Sequence, residues 1–162
     1  MAKAERQVLT VLSDLWSNQV LIIAACSWAI AQILKVLVIL FQERRIAWSY
    51  FVTSGGMPSS HTATVCALAT AIALIYGVSS VHFSIAAVLA VIVMYDSAGV
   101  RQSVGQHSAF LNRIIKELSF KTTKTEREKV FREFIGHTPF QVFVGAALGI
   151  LFAWSWIIIR GT

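Results

Sequence analysis

The 162-residue sequence predicts an all-α polytopic membrane bundle: about four transmembrane helices, an amphipathic helix ahead of them, and a cytoplasmic helical hairpin before the last. Three observations carry the prediction. Hydrophobic residues make up 56% of the chain and charged ones 14%, more apolar surface than a soluble domain of this size can bury. The apolar residues fall in long runs, and the basic residues gather in the two segments that chain direction puts on one side of a membrane. The length allows one domain, 1–162, since a second core would need roughly 100 residues of its own.

Residues 1–18 come first. Val8, Leu9, Leu12, Leu15 and Trp16 recur at helical spacing with Lys3, Glu5, Arg6 and Asp14 between them, the pattern of a helix lying in the membrane interface. The apolar run starts late and no small-residue cleavage site follows, so a retained helix is expected rather than a signal peptide. The first crossing is 20–41, interrupted only by Gln32 and Lys35 and long enough for a hydrocarbon core of about 30 Å. Further crossings are 59–76, 83–98 and 140–159, the middle two separated by Gly77-Val78-Ser79-Ser80. The crossing at 83–98 is short and ends at Asp96, the one acidic residue inside a predicted span. Segment 99–137 is charged but not featureless. Phe110, Leu111, Ile114, Ile115 and Leu118 share a helical face, and Thr125 with Glu128 starts a second helix through Phe134.

Chain direction puts 42–58 and 99–138 on the same side. Arg44, Arg45, Arg101, Arg113, Lys116, Lys121, Lys124, Arg127, Lys129 and Arg132 are there, against Lys3, Arg6 and Arg160 opposite, so the positive-inside rule makes that side cytoplasmic. The basic segment either attracts anionic headgroups, at about 1 kcal/mol per residue near the surface, or only sets topology. A net charge of +6 without an aromatic-basic recognition motif does not point to nucleic acid; membrane lipids are the expected partners. Cys26 and Cys66 lie in apolar runs and read as small buried hydrophobes, with neither a disulfide nor a zinc site.

Two polar segments stand where chains enter spans on the cytoplasmic side. In Gly55-Gly56-Met57-Pro58-Ser59-Ser60-His61-Thr62, glycine permits close backbone approach, Ser59 or Ser60 can cap the helix, first-turn amides suit a phosphate, and His61 can protonate a leaving alkoxide. In Gly136-His137-Thr138-Pro139-Phe140-Gln141, a cap at Gly136 would put Pro139 in the first turn and Gln141 one turn below His137, within reach of its ring. The plain alternative for each is an ordinary polar cap. Lys35, Arg44, Arg45 and Arg101 are cations that either complete a phosphate site or serve as snorkelling and topology anchors. Topology favours the site, because all of these groups and Asp96 fall near one membrane face although they come from four spans. His61, Asp96, His107 and His137 lack the compact spacing of metal ligands, so neither metal nor cofactor is expected, and His82 and His107 have no identifiable role.

These motifs, with Gln32-x-x-Lys35, Tyr95-Asp96-Ser97-Ala98-Gly99-Val100-Arg101 and Gly145-Ala146-Ala147-Leu148-Gly149, resemble the divergent branch of the type 2 phosphatidic acid phosphatases over nearly the whole chain. The resemblance implies a lipid phosphate phosphatase acting through a phosphohistidine. His137 would be the nucleophile and His61 the general acid. Lys35, Arg44 or Arg45, Gly56, Ser59, Ser60 and Arg101 would hold the phosphate of a phosphorylated lipid such as phosphatidylglycerol phosphate or phosphatidic acid. The sequence departs from the superfamily pattern in three ways: the first-motif cations are farther apart, Arg101 is remote from His137, and Gln141 stands where an acid partner of His137 is expected. Asp96 is the candidate substitute for that acid, or else the partner of Arg101. A non-catalytic lipid-phosphate carrier is the alternative function. The Gly145–Gly149 motif packs helices either within the chain or in a homo-oligomer.

Overall fold

The computed structural model describes residues 2–43, 56–118 and 137–161. Their regular structure is helical throughout: α1 (Ala2–Ser17), α2 (Gln19–Glu43), α3 (Ser60–Tyr76), α4 (Val81–Ala98), α5 (Val100–Leu118) and α6 (Pro139–Arg160). The apolar runs at 20–41, 59–76, 83–98 and 140–159 lie on α2, α3, α4 and α6. The predicted helix starting at Thr125 lies outside the described residues, as do Arg44, Arg45 and Gly136.

Local chemistry explains each boundary. Asn18 separates α1 from α2, its side-chain oxygen accepting from the Leu21 N–H at 3.1 Å. Ser59, Ser80 and Thr138 cap α3, α4 and α6 with their hydroxyls. Gly77, at a φ of +84°, ends α3 in a conformation that favours glycine.

Three stretches are long and apolar enough to cross a membrane: Gln19–Phe41, Val81–Ile114 and Pro139–Arg160. The fourth, α3, has 17 residues, fewer than the usual span. It is nonetheless the hub, packed against α2, α4 and α6. Small residues let it sit there. Ala63, Ala67 and Ala71 recur every fourth position on α3 and are buried, as are Gly145, Gly149 and Ala153 on α6. A Cβ at Gly149 would overlap the Ala63 carbonyl, so the two backbones touch directly. The glycine motif is therefore used within the chain, between α3 and α6.

Of the two helices expected after α4, the first is α5, and the second lies outside the described residues. The helix α5 runs on almost from the end of α4, with the Gly99 N–H bonded to the Tyr95 carbonyl at 2.8 Å and the Ser103 N–H to the Gly99 carbonyl at 2.9 Å. Gly99 marks the break. A Cβ there would stand 2.9 Å from the Tyr95 oxygen.

Candidate active site

Gly56 has a φ of +97°, a left-handed conformation that a side chain would strain. A Cβ there would also come 3.3 Å from Cγ of Lys35, so the loop closes directly over that lysine. Lys35 does not snorkel: it is wholly buried in the second half of α2. The next turn is fixed by Ser59. Its hydroxyl accepts from the Thr62 N–H at 3.5 Å and shares a hydrogen bond with the Thr62 hydroxyl at 3.0 Å, both residues being fully buried. The Ser59 N–H donates to the Gln141 carbonyl at 3.3 Å, and a Cβ on Gly145 would lie 2.5 Å from the Ser59 carbonyl oxygen. The Pro-Ser-Ser-His loop is thus seated on α6. Of its two serines, Ser59 is the cap, and Ser60 is buried beside the first-turn amides. His61, one residue further, is exposed.

The second histidine has the opposite surroundings. His137 is 2% exposed, and its backbone N–H is held by the Ser97 carbonyl at the end of α4, at 3.1 Å. The cap of α6 is Thr138 rather than Gly136, because Thr138 and Gln141 form a reciprocal capping box. The Gln141 N–H donates to the Thr138 hydroxyl at 3.3 Å, and the Thr138 N–H donates to Gln141 Oε1 at 3.1 Å. The same Oε1 lies 3.3 Å from Nδ1 of His137. A backbone N–H can only donate, so the amide atom it meets must be the oxygen, which removes the usual ambiguity of a glutamine side chain. Facing that acceptor, Nδ1 carries the proton. Nε2 then bears the lone pair, and it is buried with no hydrogen-bond partner among the described residues.

Burial holds the His137 pKa below the ordinary imidazole value; the hydrogen bond to Gln141 opposes this, the charges of Lys35 and His61 add to the lowering, and the Gly56 backbone opposes it. The neutral ring is the favoured form. Among the described residues its nearest polar influences beyond Gln141 are the Gly56 backbone and the charge of Lys35.

Arg101 and Asp96 sit at the rim, across the Gly99 break. The guanidinium Nε donates to Asp96 Oδ2 at 2.5 Å, with 46% of the arginine and 40% of the aspartate side chain exposed. Of the two roles the sequence left open for Asp96, the structure makes the pair with Arg101, and the side chain at His137 Nδ1 is that of Gln141. The charges of Arg101, Lys35 and Asp96 all reach His61. His82 stacks near Tyr76 at a ring distance of 5.5 Å, at the opposite end of α3, and His107 is exposed on α5. Among the described residues no three His, Cys, Asp or Glu side chains gather as metal ligands. Cys26 and Cys66 are free thiols.

Sequence reasoning missed Thr138, although Thr138-x-x-Gln141 is a capping-box pattern readable from residue types alone. It also missed the Ser97 carbonyl and the Thr62 hydroxyl. A carbonyl has no sequence signature, and Thr62 reads as part of an apolar span.

A family profile, described as the Divergent PAP2 family, matches residues 16–152. The membrane protein YuiD of Bacillus subtilis (strain 168) is 35% identical over 147 residues, covering 85% of this chain and 93% of that protein. No solved structure matches. The apolar helices agree with that relative in making this a membrane protein, and the match over most of its length places the chain in the Divergent PAP2 family.

Proposed function

We propose that this protein is a metal-independent lipid phosphate phosphatase working through a phosphohistidine. The observation that carries the reading is the His137 ring, buried, held at Nδ1 by Gln141, with Nε2 turned toward the Gly56 loop and the charge of Lys35 and without a geometric hydrogen bond among the described residues. In the first step Nε2 attacks phosphorus, the ester P–O bond breaks, and His61 gives its proton to the leaving alkoxide. In the second, water attacks the same phosphorus, the P–N bond breaks, and the water's proton passes to His61. Lys35, Arg101, Ser60 and the first-turn amides of α3 stabilise the charge on the phosphoryl oxygens, with Arg44 or Arg45 as a further cation. The distribution of basic residues favours a site facing the cytoplasmic leaflet, and phosphatidic acid or phosphatidylglycerol phosphate is the substrate that the family resemblance implies.

The test is phosphate release by purified protein in detergent from a panel of lipid phosphates, with and without chelator. Release that resists chelator and is lost in His137→Ala, with acid-labile phosphate trapped on the parent, is the expected result. No release from any lipid, or equal release by His137→Ala, would sink the reading.

A second reading is favoured by Gln141, which orients an imidazole but cannot offset the charge it develops during attack. The site would then bind a lipid phosphate without hydrolysing it. Saturable binding that survives His137→Ala and falls with Lys35→Ala, with no turnover in the parent, is its signature.

A further inference from the structure

The helix α5 is turned inside out for a protein surface. On a helical projection its residues fall on three faces. Gly105 and Ser108 are buried, so the small and polar face is the one against the protein. Val100, Val104 and Leu111 make a stripe about a quarter turn away, 57%, 44% and 43% exposed, with the exposed His107 among them and Phe110, 63% exposed, toward the far side. Gln106 and Arg113 lie on the far side and are exposed too. A helix resting on a soluble core would do the reverse, burying its valines and leaucine-type side chains and leaving serine and glycine outside.

Two further features say what the stripe faces. The helix continues α4 with only the break at Gly99, and the outward side of α4, with Ile85, Val88, Leu89 and Ile92 all exposed, is apolar. The exposed apolar residues of α5 therefore follow, across the Gly99 break, on those of α4 within one apolar run long enough to cross a membrane. Length excludes straight continuation through hydrocarbon. The run Val81–Ile114 has 34 residues, about 51 Å at 1.5 Å per residue, against a core of about 30 Å. The remaining length has to leave the core, and the polar Gln106 and basic Arg113 face suits water and headgroups.

We propose that α5 lies in the membrane interface at the active-site end of the bundle, with Val100, Val104 and Leu111 among the acyl chains and Arg113 at the headgroups. The proposal stands independently of any catalysis. It makes the partner of this helix a lipid surface rather than a second protein.

The test uses the full chain with Cys26→Ser and Cys66→Ala, reconstituted in vesicles of phosphatidylcholine and phosphatidylglycerol, and spin-labelled at single cysteines replacing Val104, Leu111 or Gln106. Labels at Val104 and Leu111 should collide preferentially with oxygen, and a label at Gln106 with a water-soluble nickel chelate, the ratios differing severalfold. Nickel access at all three positions would mean that α5 stands in water and would overturn the proposal. Low access to both reagents at Val104 and Leu111 would mean a protein cover and would overturn it equally. Should the cysteine-free background fail to fold, a lipid-borne photoreactive probe on the unaltered protein gives the same reading. Labelling in peptides containing Val104 and Leu111 supports the proposal, and its absence there, with α4 labelled, refutes it.

Discussion

Two helices begin at the same end of this bundle, each with a hydroxyl cap and a histidine, yet the two histidines live in different surroundings. In α3 the cap is Ser59 and His61 comes after it, inside the first turn, where the side chain points outward and is exposed to the rim charges Asp96 and Arg101. In α6 the cap is Thr138 and His137 precedes it, so the chain is still extended and the ring turns back into the bundle. Position relative to the cap thus separates an accessible imidazole from a sequestered one. A proton donor has to meet solvent to be recharged, whereas a nucleophile gains from a fixed tautomer and a dry setting.

Exchanging the leaving group tests that division most strongly. His137→Gln should reduce phosphate release from both a lipid phosphate and p-nitrophenyl phosphate by about 10⁴-fold or more, because the attacking atom itself is gone. His61→Gln should lose about 10²–10⁴-fold on the lipid alkoxide but far less on the aryl ester, whose leaving group needs no proton. Equal losses on both substrates in His61→Gln would remove the assignment of acid and nucleophile to the exposed and buried rings.

The division also depends on how closely α3 and α6 approach. Gly149→Leu forces a side chain into the Ala63 backbone and should cost about 3 kcal/mol or more, read as a lowered unfolding temperature in detergent. Gly145→Ala presses on the Ser59 carbonyl instead, and is expected to cost about 1–3 kcal/mol and to displace the loop that covers Lys35. Unchanged stability in both would show that the helices separate without penalty.

Gln141→Glu is expected to have a smaller effect, and a favourable one. A glutamate keeps the capping box and adds a charge that supports the ring during attack, so turnover should rise about tenfold, or about 1.4 kcal/mol in barrier. The pH dependence has a definite sign. With the His137 pKa lowered in the folded protein, the neutral nucleophile persists below the ordinary value of about 6.5, and the acid limb of the rate profile lies there. Over the same range the unfolded chain binds a proton that the folded one refuses, so this group's contribution to stability is complete above about 6.5 and declines as pH falls toward the folded pKa. The glutamate should move the acid limb to higher pH and shrink that decline. A limb that stays in place would mean that Gln141 does not govern the ring.

Much of this was legible before any coordinates. Long apolar runs lie on α2, α3, α4 and α6, and motif order with chain direction pointed to one end for Lys35, Gly56, Ser59, Ser60, His61, Arg101 and His137. What stayed hidden was contact between backbones. Nothing in the residue types says that Ser97 lends its carbonyl to His137, or that Gly145 admits Ser59. The cap lies at Thr138, two residues after Gly136, because the side chain able to accept the Gln141 N–H belongs to Thr138. Asp96 was ambiguous for a physical reason: an acid near the end of a span suits an inward histidine and a rim arginine equally until the helix phase is known.

That ambiguity supplies the smallest and most discriminating test. The pair of Asp96 and Arg101 is substantially exposed, so Asp96→Asn should change stability by less than about 1 kcal/mol, solvent screening having removed most of the Coulomb gain. An asparagine oxygen can still accept from the guanidinium Nε, so Arg101 keeps its orientation and turnover should change only a few-fold. Were Asp96 instead the acid that supports His137 during attack, the same substitution would leave the imidazolium unopposed and reduce turnover on the scale of the triad acid-to-amide change, about 10⁴-fold. Combining it with Gln141→Glu separates the two further. If Asp96 acts on Arg101 and the glutamate on His137 the two effects multiply, and if both acids act on His137 the glutamate rescues the loss.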